Sequence, residues 1–248
     1  MNNEVRIVDT TLRDGEQSPG IVFSYEKKIE MAKYLEKIGV YQIEAGIPAI
    51  GPTEKDVIKA IVENRKSTFI STWNRLNKED IKASIECNPD IIHLSVPTSD
   101  IQIFSKLNKS KDWLERTLVD CVYFAKEHNF EVTIGFEDAS RTDINYLLKL
   151  CEILGKLEVN TIRYADTVGI LTPTRTHIAI TELIKNTDMD IEIHAHNDFG
   201  MALANSIEAV KCGAKYVNCT LNGIGERAGN CDLQKFIKAS EEFFIVID

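Results

Sequence analysis

Short β-branched runs alternate with longer stretches of helical periodicity along nearly the whole chain. The strand-like runs start near Val5, Gln42, Thr68, Asp90, Glu131, Thr161, Asp190 and Lys215. Between them, SYEKKIEMAKYLEKIG puts Ile29, Ala32, Leu35 and Ile38 on one helical face, with Ser24 as its N-terminal cap and Gly39 as its stop. The segments KDWLERTLVDCVYFAKEHN and PTRTHIAITELIKN repeat that pattern. Strands alternating with helices predict parallel βαβ units. Eight units at this length predict an α/β protein with a closed (β/α)8 barrel of the TIM type rather than an open sheet. No G-x-G-x-x-G follows the first strand, which argues against a dinucleotide-binding sheet. No low-complexity or Pro-rich linker divides the chain, so residues 1–248 read as one catalytic barrel domain.

Composition narrows this further. With 248 residues, 44% of them apolar, the chain is long enough for one large core. A net charge of -9 without a basic cluster argues against a nucleic-acid surface. No apolar run approaches the roughly 18 residues of a membrane span, and MNNEVRIV lacks a signal-peptide pattern. The six cysteines are scattered without a CxxC pair; they read as buried thiols in a reducing cytoplasm, with no metal role.

In such barrels the reactive groups sit at the C-terminal strand ends. Here those ends are loaded: DTTLRDGEQ after strand one, IEAGIPA after two, GFEDASRTD after five, RYADTVG after six, HAHNDFG after seven, NGIGERAGN after eight. His194 and His196 are two apart on a strand, so both imidazoles share a face. They are either hydrogen-bonded core histidines or ligands to one ion. Asp14 supplies a carboxylate across the barrel mouth, and two His with one carboxylate leave positions open for substrate.

DTTLRDGEQ, HAHNDFGMALAN and NGIGERAGN, in that order and spacing, resemble the acyl-CoA-condensing barrel family of isopropylmalate, homocitrate and citramalate synthases and related aldolases and lyases. The resemblance runs from Val8 to about Leu233. IEAGIPA (43–49), TWNR (72–75), TSDIQIFSKLNKS (98–110) and EDASRTD (137–143) look most like the homocitrate synthases that serve the nitrogenase cofactor. The resemblance implies an acyltransferase that condenses acetyl-CoA with 2-oxoglutarate and hydrolyses the thioester, for the iron-molybdenum cofactor of nitrogen fixation. It implies a divalent metal (Mn, Mg, Zn, Fe or Co) on Asp14, His194 and His196, with Asn230 as either a further ligand or a turn-former. Arg13 matches the arginine that contacts the 2-oxo acid and stabilises developing negative charge. Glu137 matches an acid–base glutamate, and Glu44 a substrate-facing one. Thr167 matches a threonine on a substrate carboxylate, or else is a strand-end cap. Arg141, Arg163 and Asp166 are substrate contacts or supporting ion pairs.

Two positions depart from the family pattern. Thr133 stands where lysine-pathway homocitrate synthases carry an arginine for the distal carboxylate; His93 and Arg75 are the substitutes available. Family members also continue into a region with a histidine and a tyrosine that complete the acid–base machinery, whereas this sequence ends at EEFFIVID with no histidine after His196. The expectation is a base supplied by a second polypeptide carrying that region, or by an identical subunit, docked partly on Phe243, Phe244, Ile245 and Val246. The alternatives are isopropylmalate, citramalate or Re-citrate synthesis from another 2-oxo acid, an aldolase or lyase, and a non-catalytic subunit that binds metal and keto acid.

Overall fold

The computed structural model describes residues 4–241 and 245–246. Eight strands alternate with eight helices: β1 (Glu4–Asp9), α1 (Tyr25–Lys37), β2 (Gln42–Glu44), α2 (Pro52–Asn64), β3 (Phe69–Arg75), α3 (Lys78–Ile85), β4 (Ile91–Pro97), α4 (Lys111–Glu127), β5 (Glu131–Glu137), α5 (Ile144–Gly155), β6 (Thr161–Asp166), α6 (Pro173–Asn186), β7 (Asp190–Ala195), α7 (Ala202–Lys211), β8 (Tyr216–Cys219) and α8 (Leu233–Ser240). The strands pair in sequence order, and β8 returns to β1 in register from Arg6↔Tyr216 to Asp9↔Cys219. All these pairings are parallel, so the sheet closes as a (β/α)8 barrel. A ninth, two-residue strand, β9 (Ile245–Val246), pairs its backbone with the start of β1, at the end of the barrel opposite the strand C-termini. Phe243 and Phe244, expected to dock a partner, lie outside the described residues.

Local chemistry sets the helix starts. Ser24, Asn77, Ser110, Thr172 and Asp232 each accept a hydrogen bond from the backbone N–H three residues on. That satisfies a donor the first turn would otherwise leave unpaired. Gly39, at φ +80°, ends α1 in the left-handed conformation. One expectation shifts at this end. Ile38 falls just past the last turn and is 37% exposed, while Lys28 is buried with its Nζ held by Glu16 and Glu54.

Period-two alternation divides each strand between two environments. On β4, Ile92, Leu94 and Val96 belong to the apolar layer under the helices, and His93, Ser95 and Pro97 line the barrel mouth. On β7, Ile191 and Ile193 alternate with Glu192 and His194 in the same way. Barrel interiors usually pack layers of branched aliphatics. This one is filled by polar groups: Gln42 donates to Ser71, His93 meets Thr133, and Arg163 bridges Glu44 and Glu192. At the floor, the Arg6 guanidinium lies 4.8 Å above the Tyr41 ring. No helix among the described residues is long and apolar enough to cross a membrane.

Candidate active site and metal centre

The turn after β1 aims its charges inward. The amides of Arg13, Asp14 and Gly15 all donate to the Thr10 carbonyl, at 3.1, 2.8 and 3.1 Å. Gly15 leaves this turn close to the β8–α8 loop: a Cβ there would press on Ile224 Cγ1 at 3.0 Å. Asp14 Oδ2 then lies 3.2 Å from His194 Nε2 and 3.2 Å from Arg13 Nη1. His194 Nε2 lies 3.2 Å from His196 Nε2, the two rings edge to face. A backbone bridge places Asn230 beside His196; Asn230 Nδ2 donates to the Ile224 carbonyl.

Three atoms of this group, Asp14 Oδ1, His196 Nδ1 and Asn230 Oδ1, are buried without a hydrogen-bond partner. Buried polar atoms are nearly always paired, and a missing ion is one standard reason when they are not. The protonation pattern agrees. Asn218 Nδ2 donates to Glu192, so its Oδ1 is an acceptor and receives both the Thr10 hydroxyl and His194 Nδ1–H. With Nδ1 committed to Asn218, His194 Nε2 is the nitrogen that faces Asp14 and His196. A carboxylate and two imidazoles with their ligand atoms within 4.8 Å of one another fit a divalent cation with open positions.

Electrostatics hold the set in that state. Burial opposes ionisation of Asp14, but the adjacent Arg13 guanidinium outweighs it and keeps the carboxyl far below its ordinary range. Burial pushes His196 down to about 3, so it is neutral. Burial and Arg163 likewise hold His93 neutral. Glu44 is fully buried, yet Arg13 and Arg163 keep it ionised. Its Oε1 accepts from Arg13 Nε at 2.5 Å and its Oε2 from Arg163 Nη2 at 2.7 Å. Arg163 Nε continues to Glu192 at 2.7 Å, and Glu192 to Asn218. A buried chain of contacts thus runs from Arg13 to His194 across the barrel.

Above it opens a cavity of about 470 Å³, bounded by Arg13, Asp14, His93, Glu137, Thr167 and His196 among others. Glu137 accepts from Ser95 Oγ and Lys106 Nζ, both at 3.3 Å. Lys106 ends a π-helix, Ile101–Lys106, that follows β4. Thr167 Oγ1 accepts the Asp138 amide at 2.7 Å, which leaves its hydroxyl proton free to donate. His93 Nδ1 meets Thr133 Oγ1 at 2.9 Å, and its ring fits only because residue 135 is glycine.

The family model described as HMGL-like matches residues 4–243. The chain belongs to the HMGL-like family. It is 50% identical over 238 residues to a homocitrate synthase subunit alpha from Clostridium pasteurianum, covering 96% of this chain and 88% of that one. It is 43% identical to 2-isopropylmalate synthase 2 from Caldanaerobacter subterraneus subsp. tengcongensis, covering 95% of this chain but only 61% of that relative. Among solved structures, the HMG-CoA lyase of Bacillus subtilis superposes with a TM-score of 0.87 at 21% identity, covering 99% of this chain and 88% of that one. At that identity the likeness concerns the fold.

Within this HMGL-like barrel, most of the residues singled out in the sequence converge on the mouth. Glu44 does not border the cavity; it sits beneath it with both oxygens taken by arginines, Oε1 by Arg13 and Oε2 by Arg163. Arg141 pairs with Asp138, Asp166 accepts the Ile170 and Leu171 amides, and Arg163 borders the cavity while bridging Glu44 and Glu192. Arg75 is held by Asp80 at the rim. Glu192 and Asn218 were not foreseen. Glu192 is two residues before His194 on the same inward face, a signal that period-two reading carries.

Proposed function

We propose that this chain is the barrel subunit of a homocitrate synthase, an acyltransferase condensing acetyl-CoA with 2-oxoglutarate for the nitrogenase cofactor. The observation that carries the reading is the coincidence of half identity to a homocitrate synthase subunit alpha with Arg13 facing the Asp14–His194–His196 set across one cavity. A divalent ion on those three residues, with Asn230 Oδ1 as a further donor, supplies Lewis acidity toward a bound ketone. Arg13, with Nε on Glu44 and Nη1 on Asp14, keeps Nη2 available for the oxygen that gains negative charge. Thr167 donates its hydroxyl to the substrate's carboxylate. Glu137, between Ser95 and Lys106, accepts or returns a proton at the far side of the cavity. For a distal carboxylate the chain offers His93, which donates from Nε2 when Nδ1 accepts the Thr133 hydroxyl, and Arg75. His93 and His196, both pushed toward the neutral form, are poorly suited to deprotonate acetyl-CoA, which supports a base supplied by a second polypeptide or an identical subunit.

The likeness to a 2-isopropylmalate synthase, together with Thr133 in place of an arginine, favours a second reading in which the oxo acid lacks a distal carboxylate. The test is thiol release from acetyl-CoA, with and without the candidate second chain, against 2-oxoglutarate, 2-oxoisovalerate, pyruvate and oxaloacetate. Preference for 2-oxoglutarate is the expected result. Preference for a monocarboxylic oxo acid selects the second reading, and metal binding without turnover on any of them selects a binding subunit.

A further inference from the structure

Away from the barrel mouth, the described residues contain one other convergence of ligand-type side chains. His177 on α6, Glu208 on α7 and Cys212 at the end of α7 meet on the outer helical layer. His177 Nδ1 lies 2.8 Å from Glu208 Oε1 and 3.3 Å from Cys212 Sγ, and Sγ lies 3.9 Å from Oε1. A Cys–His–acid relay would place its acid and its thiol on different ring nitrogens, one on each side of the imidazole. Here both approach Nδ1. The three heteroatoms form a triangle around one point, the arrangement of a chelate and not of a proton relay.

The spacing suits an ion. With metal–sulfur bonds of about 2.3 Å and metal–nitrogen or –oxygen bonds of about 2.0 Å, ligand atoms on a tetrahedron lie about 3.3–3.6 Å apart. Each observed separation is within about half an ångström of that range. The His177–Glu208 contact joins two of the three groups; the thiol's own contacts to the His177 carbonyl and Glu208, both at 3.9 Å, are long ones. His177 is more than half exposed, which leaves an entry path and a fourth position for water.

We propose that His177, Glu208 and Cys212 form a second cation site, which takes a thiophilic divalent ion such as Zn²⁺ and staples α6 to α7. Binding exchanges the Cys212 S–H bond for a metal–sulfur bond and releases that proton to solvent; no electron moves. Burial pushes the Cys212 thiol up, so the proton is still present when the ion arrives. Both stapled helices flank β7, which carries His194 and leads into His196, yet none of the three ligands is shared with the mouth.

Cobalt separates the two sites, because only a thiolate gives sulfur-to-cobalt charge-transfer absorption in the near ultraviolet. The mouth has no sulfur ligand, and the other five thiols are buried. Titration of the intact chain with Co²⁺ is expected to give that band with one ion more than the mouth accounts for. Cys212→Ser is expected to lose the band and that one ion while keeping the sulfur-free cobalt spectrum of the mouth, which also shows that the variant is folded. His177→Ala is expected to weaken the band's midpoint by about 10-fold or more, since even outer partners of metal ligands contribute that much. No band in the intact chain, or a band that survives Cys212→Ser, overturns the proposal. So does a Zn²⁺-dependent rise in Tm of equal size in the intact chain and in Cys212→Ser.

Discussion

Arg13 and Asp14 are consecutive residues with divided work: Asp14 faces the histidines, and Arg13 faces the cavity from a seat on Glu44. Arg13→Lys keeps the charge but loses the planar fork that reaches both carboxylates. Turnover is expected to fall by about 10²-fold or more, the cost of losing an aimed donor to developing negative charge, with metal affinity little changed. A fully active lysine variant removes Arg13 from the chemistry. His194 depends on Asn218 in a different way. With Asn218→Ala nothing holds the Nδ1 proton, and divalent-metal affinity by calorimetric titration is expected to drop about 10–100-fold; unchanged affinity shows that the tautomer is set otherwise. Asp9 raises a question of stability. Burial lifts it from 3.8 to about 7, with Oδ2 unpaired. The unfolded chain releases that proton near pH 4 while the folded chain keeps it, so between about pH 4 and 7 folded molecules bind more protons and stability falls as pH rises. Asp14 and Glu44, held low, act in the opposite sense: their contribution is full above the ordinary carboxylate range and is lost progressively as pH falls below that range toward their lowered values. Asp9→Asn is therefore expected to gain up to roughly 4 kcal/mol over the parent at pH 8 and almost nothing at pH 4. Urea unfolding at the two pH values measures this, and an equal difference at both removes Asp9 as the cause.

At the scale of elements, what was legible in the sequence is what depends on local pattern. Strand starts follow from β-branched runs; Ser24 and Gly39 bound α1 through capping chemistry that acts within a few residues; His194 and His196 share a face because strands have a period of two. What was not legible depends on partners far along the chain. Glu44 sits at an inward strand end, as expected, but its role comes from Arg13 and Arg163, the latter 119 residues away. Asn218 carries no local mark that distinguishes it from any strand asparagine, and the π-helix after β4 follows no simple spacing. The loop between β8 and α8 is intermediate. NGIGERAGN reads as a turn, but its shape is set by a close backbone approach: Gly229 lies at φ +89°, and a Cβ there would meet the Gly223 carbonyl at 2.1 Å. Gly229→Ala must push that backbone aside and carry Asn230 with it. Expected are a lower Tm and weaker metal binding, the latter comparable to that of Asn230→Ala. If Gly229→Ala lowers Tm but binds metal normally, Asn230 is a turn-former and not a ligand.

For the molecule as a whole, the cavity is asymmetric in chemical competence. One wall concentrates groups whose chemistry suits polarising and binding an anion: Arg13, the three metal-ligand candidates and the Thr167 hydroxyl. The opposite wall has Glu137 tied to Ser95 and Lys106, and a histidine that burial keeps neutral by depressing its affinity for a proton. Removal of a methyl proton from acetyl-CoA needs a positioned base that is not already engaged, and such a base typically contributes 10²–10⁴-fold. The barrel by itself is therefore expected to bind metal and 2-oxo acid well and to condense them with acetyl-CoA slowly. Addition of a second polypeptide that brings a base to the mouth is expected to raise homocitrate formation by about 10-fold or more without tightening the binding of the oxo acid. That split matters, because a partner that only stabilised the fold would raise the active fraction and leave the pH profile of turnover unchanged. A supplied base adds a new limb to that profile at its own pKa. Full turnover from the purified chain alone, at dilutions where it is monomeric, with no new limb on addition of any partner, shows that the barrel holds its own base and directs attention back to Glu137.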